Sequence, residues 1–143
     1  MRKFLSLFLI LFLIGCSSKL KTTETKPLYE ILSKQNDGGA SIRFFEILNE
    51  NNEIKMLQND GDLKNKITAD NLASSNFIIL NMGEKNTLGY TITVEKVEET
   101  SDKIIITTRD ENPKEPLTPD ADVYYYPYTI VKINSKKTIE FTK

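Results

Sequence analysis

The chain has no histidine, and its 143 residues include one cysteine, five prolines and six glycines. Without histidine there is no Ser-His or Cys-His nucleophile pair, the common zinc ligand sets are missing, and no side chain titrates near neutral pH unless its environment shifts it. A single cysteine rules out an internal disulfide. A carboxylate pair could still do acid–base chemistry, but among 20 Asp and Glu adjacent acids arise by chance. The expectation is a protein that is not an enzyme, with no metal and no soluble cofactor.

The one cysteine has a particular setting. Arg2 and Lys3 precede a run at residues 4–14 that is apolar apart from Ser6, and Leu13-Ile14-Gly15-Cys16 follows from it. A basic start, a short apolar stretch and a small residue before a cut make a secretory signal peptide, and the run falls short of the roughly 20 residues that cross a bilayer. Leu13-Ile14-Gly15-Cys16 resembles the lipobox of bacterial lipoproteins. That resemblance implies cleavage after residue 15 and attachment of diacylglycerol and an N-acyl chain to Cys16. Each buried acyl CH₂ contributes ~0.8 kcal/mol, so two or three chains hold a protein on a membrane. Ser17, rather than aspartate, follows the cysteine. This resembles the sorting signal for the outer membrane, facing the periplasm of the bacterial envelope.

Residues 17–27 are polar and end in Pro27. Such a composition builds no core and reads as a flexible tether reaching roughly 35–40 Å when extended. Residues 28–143 are enough for one domain with its own core. Loss of Arg2 and Lys3 leaves this mature chain mildly acidic, with no basic footprint for nucleic acid or an anionic lipid surface.

Within that domain, short β-type runs recur. They lie at residues 28–33, 41–48, 77–82, 90–95, 104–108, 129–133 and 138–141. Residues 77–82 are almost continuously apolar, as in a buried strand, whereas residues 90–95 alternate, as in a half-buried one. Asn36-Asp37-Gly38-Gly39 and Asn59-Asp60-Gly61-Asp62 are breaks. Ile54 and Leu57 suggest a short helix over residues 50–59, and residues 134–137 read as the turn of a hairpin. The predicted class is mostly β: an antiparallel sandwich or barrel-like domain, the immunoglobulin-like form among the options, with one short helix.

Three stretches are candidates for binding. Residues 83–90 form either a well-made hairpin loop or a recognition loop, Gly83 and Gly89 supplying backbone freedom. Residues 110–120 contain three prolines and are either a stiffened solvated loop or a binding loop. Tyr124-Tyr125-Tyr126-Pro127-Tyr128 is either core packing with hydroxyls at the surface or an interface, since tyrosine is enriched at hot spots.

Gly83, Glu84, Lys85, Thr87, Gly89 and Tyr90, then Pro113 and Pro116, then Tyr126, Pro127 and Tyr128 together resemble the C-terminal domain of PrcB-like protease-complex subunits, over residues 77–133. The resemblance implies a lipoprotein that binds and stabilises a partner protease. Asn86, Thr87, Gly89 and Tyr90 also resemble the Asn-Pro-Thr-Thr-Gly-Tyr loop of chagasin-like protease inhibitors, without its proline. That likeness implies loops grouped at one end of a sandwich. The expected function is therefore a lipid-anchored, non-enzymatic envelope protein that binds a partner protein, a protease being the candidate. A reversible protease inhibitor, and a structural envelope lipoprotein or small-ligand carrier, are the alternatives. The expected contact residues are Asn86, Thr87, Leu88 and Gly89 in the first loop and Tyr126 and Tyr128 in the second. Replacing Cys16 with serine should abolish incorporation of labelled palmitate and release the chain from the membrane fraction; an unmodified mature N-terminus in the unaltered protein would refute the lipobox reading.

Overall fold

Residues 77–80 are apolar on both sides of the strand they form, which requires covering layers above and below it. In the computed structural model, which describes residues 26–115, 117–119 and 122–142, that strand is β3 of seven. The elements run β1 (Tyr29–Gln35), β2 (Phe44–Leu48), α1 (Asn51–Gln58), α2 (Ala69–Ser74), β3 (Asn76–Asn81), β4 (Thr91–Glu99), β5 (Lys103–Glu111), β6 (Tyr128–Ile133) and β7 (Thr138–Thr142). One sheet has the order β1-β6-β3-β2 and is antiparallel throughout. The other has the order β4-β5-β7, with β4 antiparallel and β7 parallel to β5. The expected signal peptide, Cys16 and most of the expected tether lie outside the described residues. Among the described residues no helix is long and apolar enough to cross a membrane.

Three layers result. Between the sheets, Ile78, Leu80, Val131 and Ile133 of the first meet Ile92, Val94, Ile104, Ile106 and Ile139 of the second. On the opposite face of the first sheet, Phe77, Ile130, Leu32 and Leu48 pack under Ile54, Leu63 and Ile67 of the helical segment. The fold is thus a mostly β sandwich with a helical layer, and it is not a closed barrel. A buried hydroxyl ties the sheets together: Thr129 Oγ1 donates to the carbonyl oxygen of Ile92 at 2.5 Å.

Two bulges keep the apolar side chains on the correct faces. Leu32 has no cross-strand partner in β1, where the register shifts between Ile31 and Ser33, and it turns towards the helices. Glu95 is the extra residue in β4. Val94 and Val97 are three apart, a spacing that strict alternation sends to opposite faces, yet both pack into the inter-sheet core because the bulge absorbs one residue.

The helix expected over residues 50–59 is α1, begun by a capping box between Glu50 and Glu53. A second helix, α2, corrects the expectation of one. Thr68 and Asn71 close its capping box, and its polar sequence, with Leu72 as the one large apolar residue, carries almost no periodic signal. Two expected hairpins are also absent. β6 is hydrogen-bonded on one edge to β1 and on the other to β3, so β7 has no free edge to join and crosses to the second sheet. β3 is flanked by β6 and β2, so β4 crosses likewise, and residues 82–90 form an arch between sheets.

Phe77 is fully buried and packs under the helical segment. Phe77→Ala should therefore cost about 3–5 kcal/mol, read from the midpoint shift in urea denaturation.

Candidate functional site: the loop end of the sandwich

Strand register gathers three loops at one end. Gln35, at the end of β1, and Asn81, at the end of β3, both pair with Tyr128 at the start of β6. Phe44 opens β2 opposite Asn81, and Thr91 opens β4 opposite Glu111. The connections at residues 36–43, 82–90 and 112–127 therefore share that end. The chain enters at the other pole, where Asn134 N donates to Leu28 O and Tyr29 pairs with Ile133.

These loops are held by hydrogen bonds that leave few polar groups unused. Asn81 is fully buried. Its Oδ1 accepts from Ala40 N at 2.9 Å, and its Nδ2 donates to the carbonyls of Ala40 at 2.8 Å and Ile42 at 2.6 Å. Gly39 passes so close that a Cβ there would lie 2.2 Å from Asn81 Oδ1 and 2.7 Å from Tyr126 O. Lys85 and Tyr125 exchange a pair of 2.8 Å backbone hydrogen bonds, and Glu84 N donates to Ser41 O. Tyr126 N donates to Asp37 Oδ1, and its hydroxyl donates to Glu84 Oε2 at 3.3 Å. Desolvation, then the Glu84 charge, raises the Tyr126 hydroxyl above its ordinary pKa.

Within residues 86–90 the roles divide. Thr87 is buried, whereas Asn86 and Leu88 face solvent. Gly89 has φ +92°, and its α-carbon presses on Pro113, so the first loop leans on the proline-bearing one. A shallow groove of about 720 Å³ runs beside that contact, bordered by Gly89, Pro113 and Leu117.

Exposed apolar side chains concentrate here. Ile42 is 75 % exposed, Tyr124 51 %, Leu117 48 % and Leu88 45 %, with Val123 and Phe44 close behind. Elsewhere among the described residues, Ile31 and Met56 are comparably open. Single exposed apolar residues are ordinary, but several sharing one set of interlocked loops point to an interaction surface.

The expected contact residues divide accordingly. Asn86, Leu88, Gly89 and Tyr126 lie on this end, Thr87 is buried beneath it, and Tyr128 opens β6 at the same end. The Tyr128 ring packs towards the helical side of the first sheet with Ile130 and Phe77, whereas Tyr126 precedes the strand and its hydroxyl reaches Glu84. Sequence reasoning passed over Ile42, Leu117 and Val123. Leu117 carried a signal, an isolated large apolar residue in a proline-rich stretch, whereas Ile42 was read as part of the strand run 41–48 and Val123 adjoins the tyrosines.

Two ion-paired carboxylates at the end of β5 brace the loop bases. Asp110 holds Arg43 through two hydrogen bonds of 2.9 and 3.0 Å, and Arg43 also lies over the Phe45 ring at 5.2 Å. Glu111 accepts from Thr91 Oγ1 at 2.7 Å, Lys34 Nζ at 3.0 Å and Arg109 at 3.0 Å. The Thr91 hydroxyl foremost, then Lys34 and Arg109, holds the Glu111 carboxyl down at about 2. Among the described residues no cluster of three or more His, Cys, Asp or Glu is arranged to hold a metal ion.

Residues 76–134 match the family model described as PrcB C-terminal. The match covers less than half of the chain and bears out the resemblance drawn from residues 77–133. It begins at β3 and ends just past β6, so it contains both the 82–90 and the 112–127 loops. The curated proteins and the solved structures contain no match to the chain.

A carboxylate whose folded pKa is depressed stabilises the fold fully above its unfolded value and loses that contribution as the pH falls through the folded one. Glu111 should therefore contribute in full above about pH 4.5 and progressively less down to about 2. The difference in thermal midpoint between the unaltered chain and Glu111→Gln should be largest near neutral pH and shrink across that window.

Proposed function

We propose that the chain is a lipid-anchored, non-enzymatic protein of the bacterial envelope whose loop end binds a protease or a neighbouring subunit of a protease complex. The observation that carries this reading is the grouping of Ile42, Leu88, Leu117, Val123 and Tyr124 at the end of the sandwich where hydrogen bonds join residues 39–42, 81–85 and 125–127. Leu88, Leu117, Val123 and Tyr124 belong to the segment that matches the PrcB C-terminal family. An apolar surface on already ordered loops avoids most of the ordering cost that weakens association. Acyl chains on Cys16 would confine the protein to the membrane plane and raise its effective concentration for a partner there.

A second reading, a reversible protease inhibitor of the chagasin kind, draws on one feature. Leu88 stands out between buried Thr87 and the turn at Gly89, the shape of a loop that enters a cleft. Adding the purified chain to papain-like and serine proteases separates the two. Loss of cleavage selects the inhibitor, whereas unchanged cleavage with a co-purifying protease selects the accessory subunit.

The direct test places a photo-crosslinking residue at Leu117 in native membranes and identifies what it captures. A protease or its complex is expected. Leu88→Asp should reduce that capture at least tenfold, as truncation of a hot-spot side chain does, while the thermal midpoint stays put because Leu88 is solvent-exposed. Capture indifferent to Leu88→Asp, or turnover of a substrate by the purified chain alone, would sink the proposal.

A further inference from the structure

The helical layer covers the outer face of the first sheet only in part. Phe77 and Leu48, paired with each other towards the pole where the chain enters, and Ile130, level with Ile79, lie beneath it. Nearer the loop end, the same face carries Phe44, Ile79, Asn81 and Tyr128, and these border a cleft of about 370 Å³ with Gly38, Gly39 and Ala40 as its lip. The two glycines open it: Gly38 already sits with its α-carbon against the Tyr128 ring, a Cβ there falling 3.4 Å away. The polar atoms of Asn81 are taken up by Ala40 and Ile42. What the cleft offers an occupant is therefore an aliphatic floor between two aromatic walls.

Its rim is acidic. Burial foremost, then the charges of Asp60 and Asp62 in the turn after α1, raises the Tyr128 hydroxyl above its ordinary pKa. Glu46 is two residues along β2 from Phe44, on the same face, and pairs with Ile79. Asp37 precedes the glycine lip. No lysine or arginine lines the cleft, and none forms an ion pair with Asp37, Glu46, Asp60 or Asp62 among the described residues.

We propose that this cleft receives one large apolar side chain, flanked by lysine or arginine, from the protein that the loop end binds. The proposal deepens the partner-binding reading and rests on it. An aromatic or long aliphatic group matches the volume and the Phe44 and Tyr128 walls, as a buried anchor does at an interface. Flanking cations answer four carboxylates that form no ion pair among the described residues, which favours basic segments over acidic ones and speeds encounter.

The protein has no tryptophan, so a tryptophan peptide reports its own burial by fluorescence. The mature chain carrying Cys16→Ser is titrated with capped Lys-Lys-Trp-Lys-Lys and with capped Glu-Glu-Trp-Glu-Glu. A saturable blue shift is expected for the basic peptide, with the acidic one at least tenfold weaker and the preference fading as salt is raised. Phe44→Ala should weaken the basic peptide at least tenfold. Asp60→Asn with Asp62→Asn, at solvent-exposed positions that leave the core intact, should erase most of the charge preference. Equal binding of the two peptides, or binding indifferent to both variants, overturns the proposal. Deletion of residues 17–25 raising affinity at least tenfold would also overturn it, since Lys19-Leu20-Lys21 of the chain itself would then be the occupant. If the peptides fail while Leu88-dependent crosslinking persists, the partner-binding reading survives without the cleft. If the peptides succeed while Leu117 captures no protein, the partner-binding reading falls and the cleft remains.

Discussion

β3 and β6 are saturated in every direction. Each has a strand hydrogen-bonded on both edges, and each has an apolar core on both faces. A strand in that position has no edge left for its neighbour in sequence. The chain leaving β3 must therefore cross to the second sheet, and so must the chain leaving β6. The chain leaving β1 must run over the ends of β6 and β3 to reach β2 on the far edge. The sandwich, the arches and the gathering of loops at one end all follow from this one constraint.

The loop end then combines two properties that are usually opposed. Its backbone is tightly satisfied: Asn81 is bonded three times to residues 40–42, Lys85 pairs with Tyr125, and Gly39 lies against Tyr126. Its side chains, in contrast, leave apolar area in water. Buried polar groups with all partners made give rigidity, and a rigid loop can hold Leu88 outward without collapsing around it. The Arg43–Asp110 and Lys34–Glu111 pairs add bracing where the loops meet the strands, although exposed pairs of this kind each contribute little.

The local strand signals were legible because burial on two faces and burial on one leave different patterns. Residues 77–82 and 90–95 read differently and occupy different positions, the first in the centre of a sheet and the second at an edge. α2 was not legible, since a six-residue helix docked through Leu72 has no periodicity to detect. Pairing was misread at residues 83–90 and 134–137 for a shared reason: a short polar connection between two β-type runs looks the same whether it joins neighbours in one sheet or crosses between two. Tyr126 and Tyr128 show what pattern alone could not: Tyr126 precedes β6 and bonds Glu84, whereas Tyr128 opens the strand with its ring on the helical face, so alternation does not relate the two.

What the amino-acid order settled unaided is local and chemical: no histidine for nucleophile pairs, one cysteine placed after an apolar run, β-type runs with their face preferences, and a segment whose spacing of glycine, threonine, proline and tyrosine matches a known family. What the tertiary structure alone decided is adjacency. Ile42, Leu88, Leu117 and Tyr124 are far apart along the chain, and each is unremarkable there. They share a surface only because edge saturation of β3 and β6 turns three separate loops towards the same pole, a long-range consequence of hydrogen-bond geometry that no window of sequence contains.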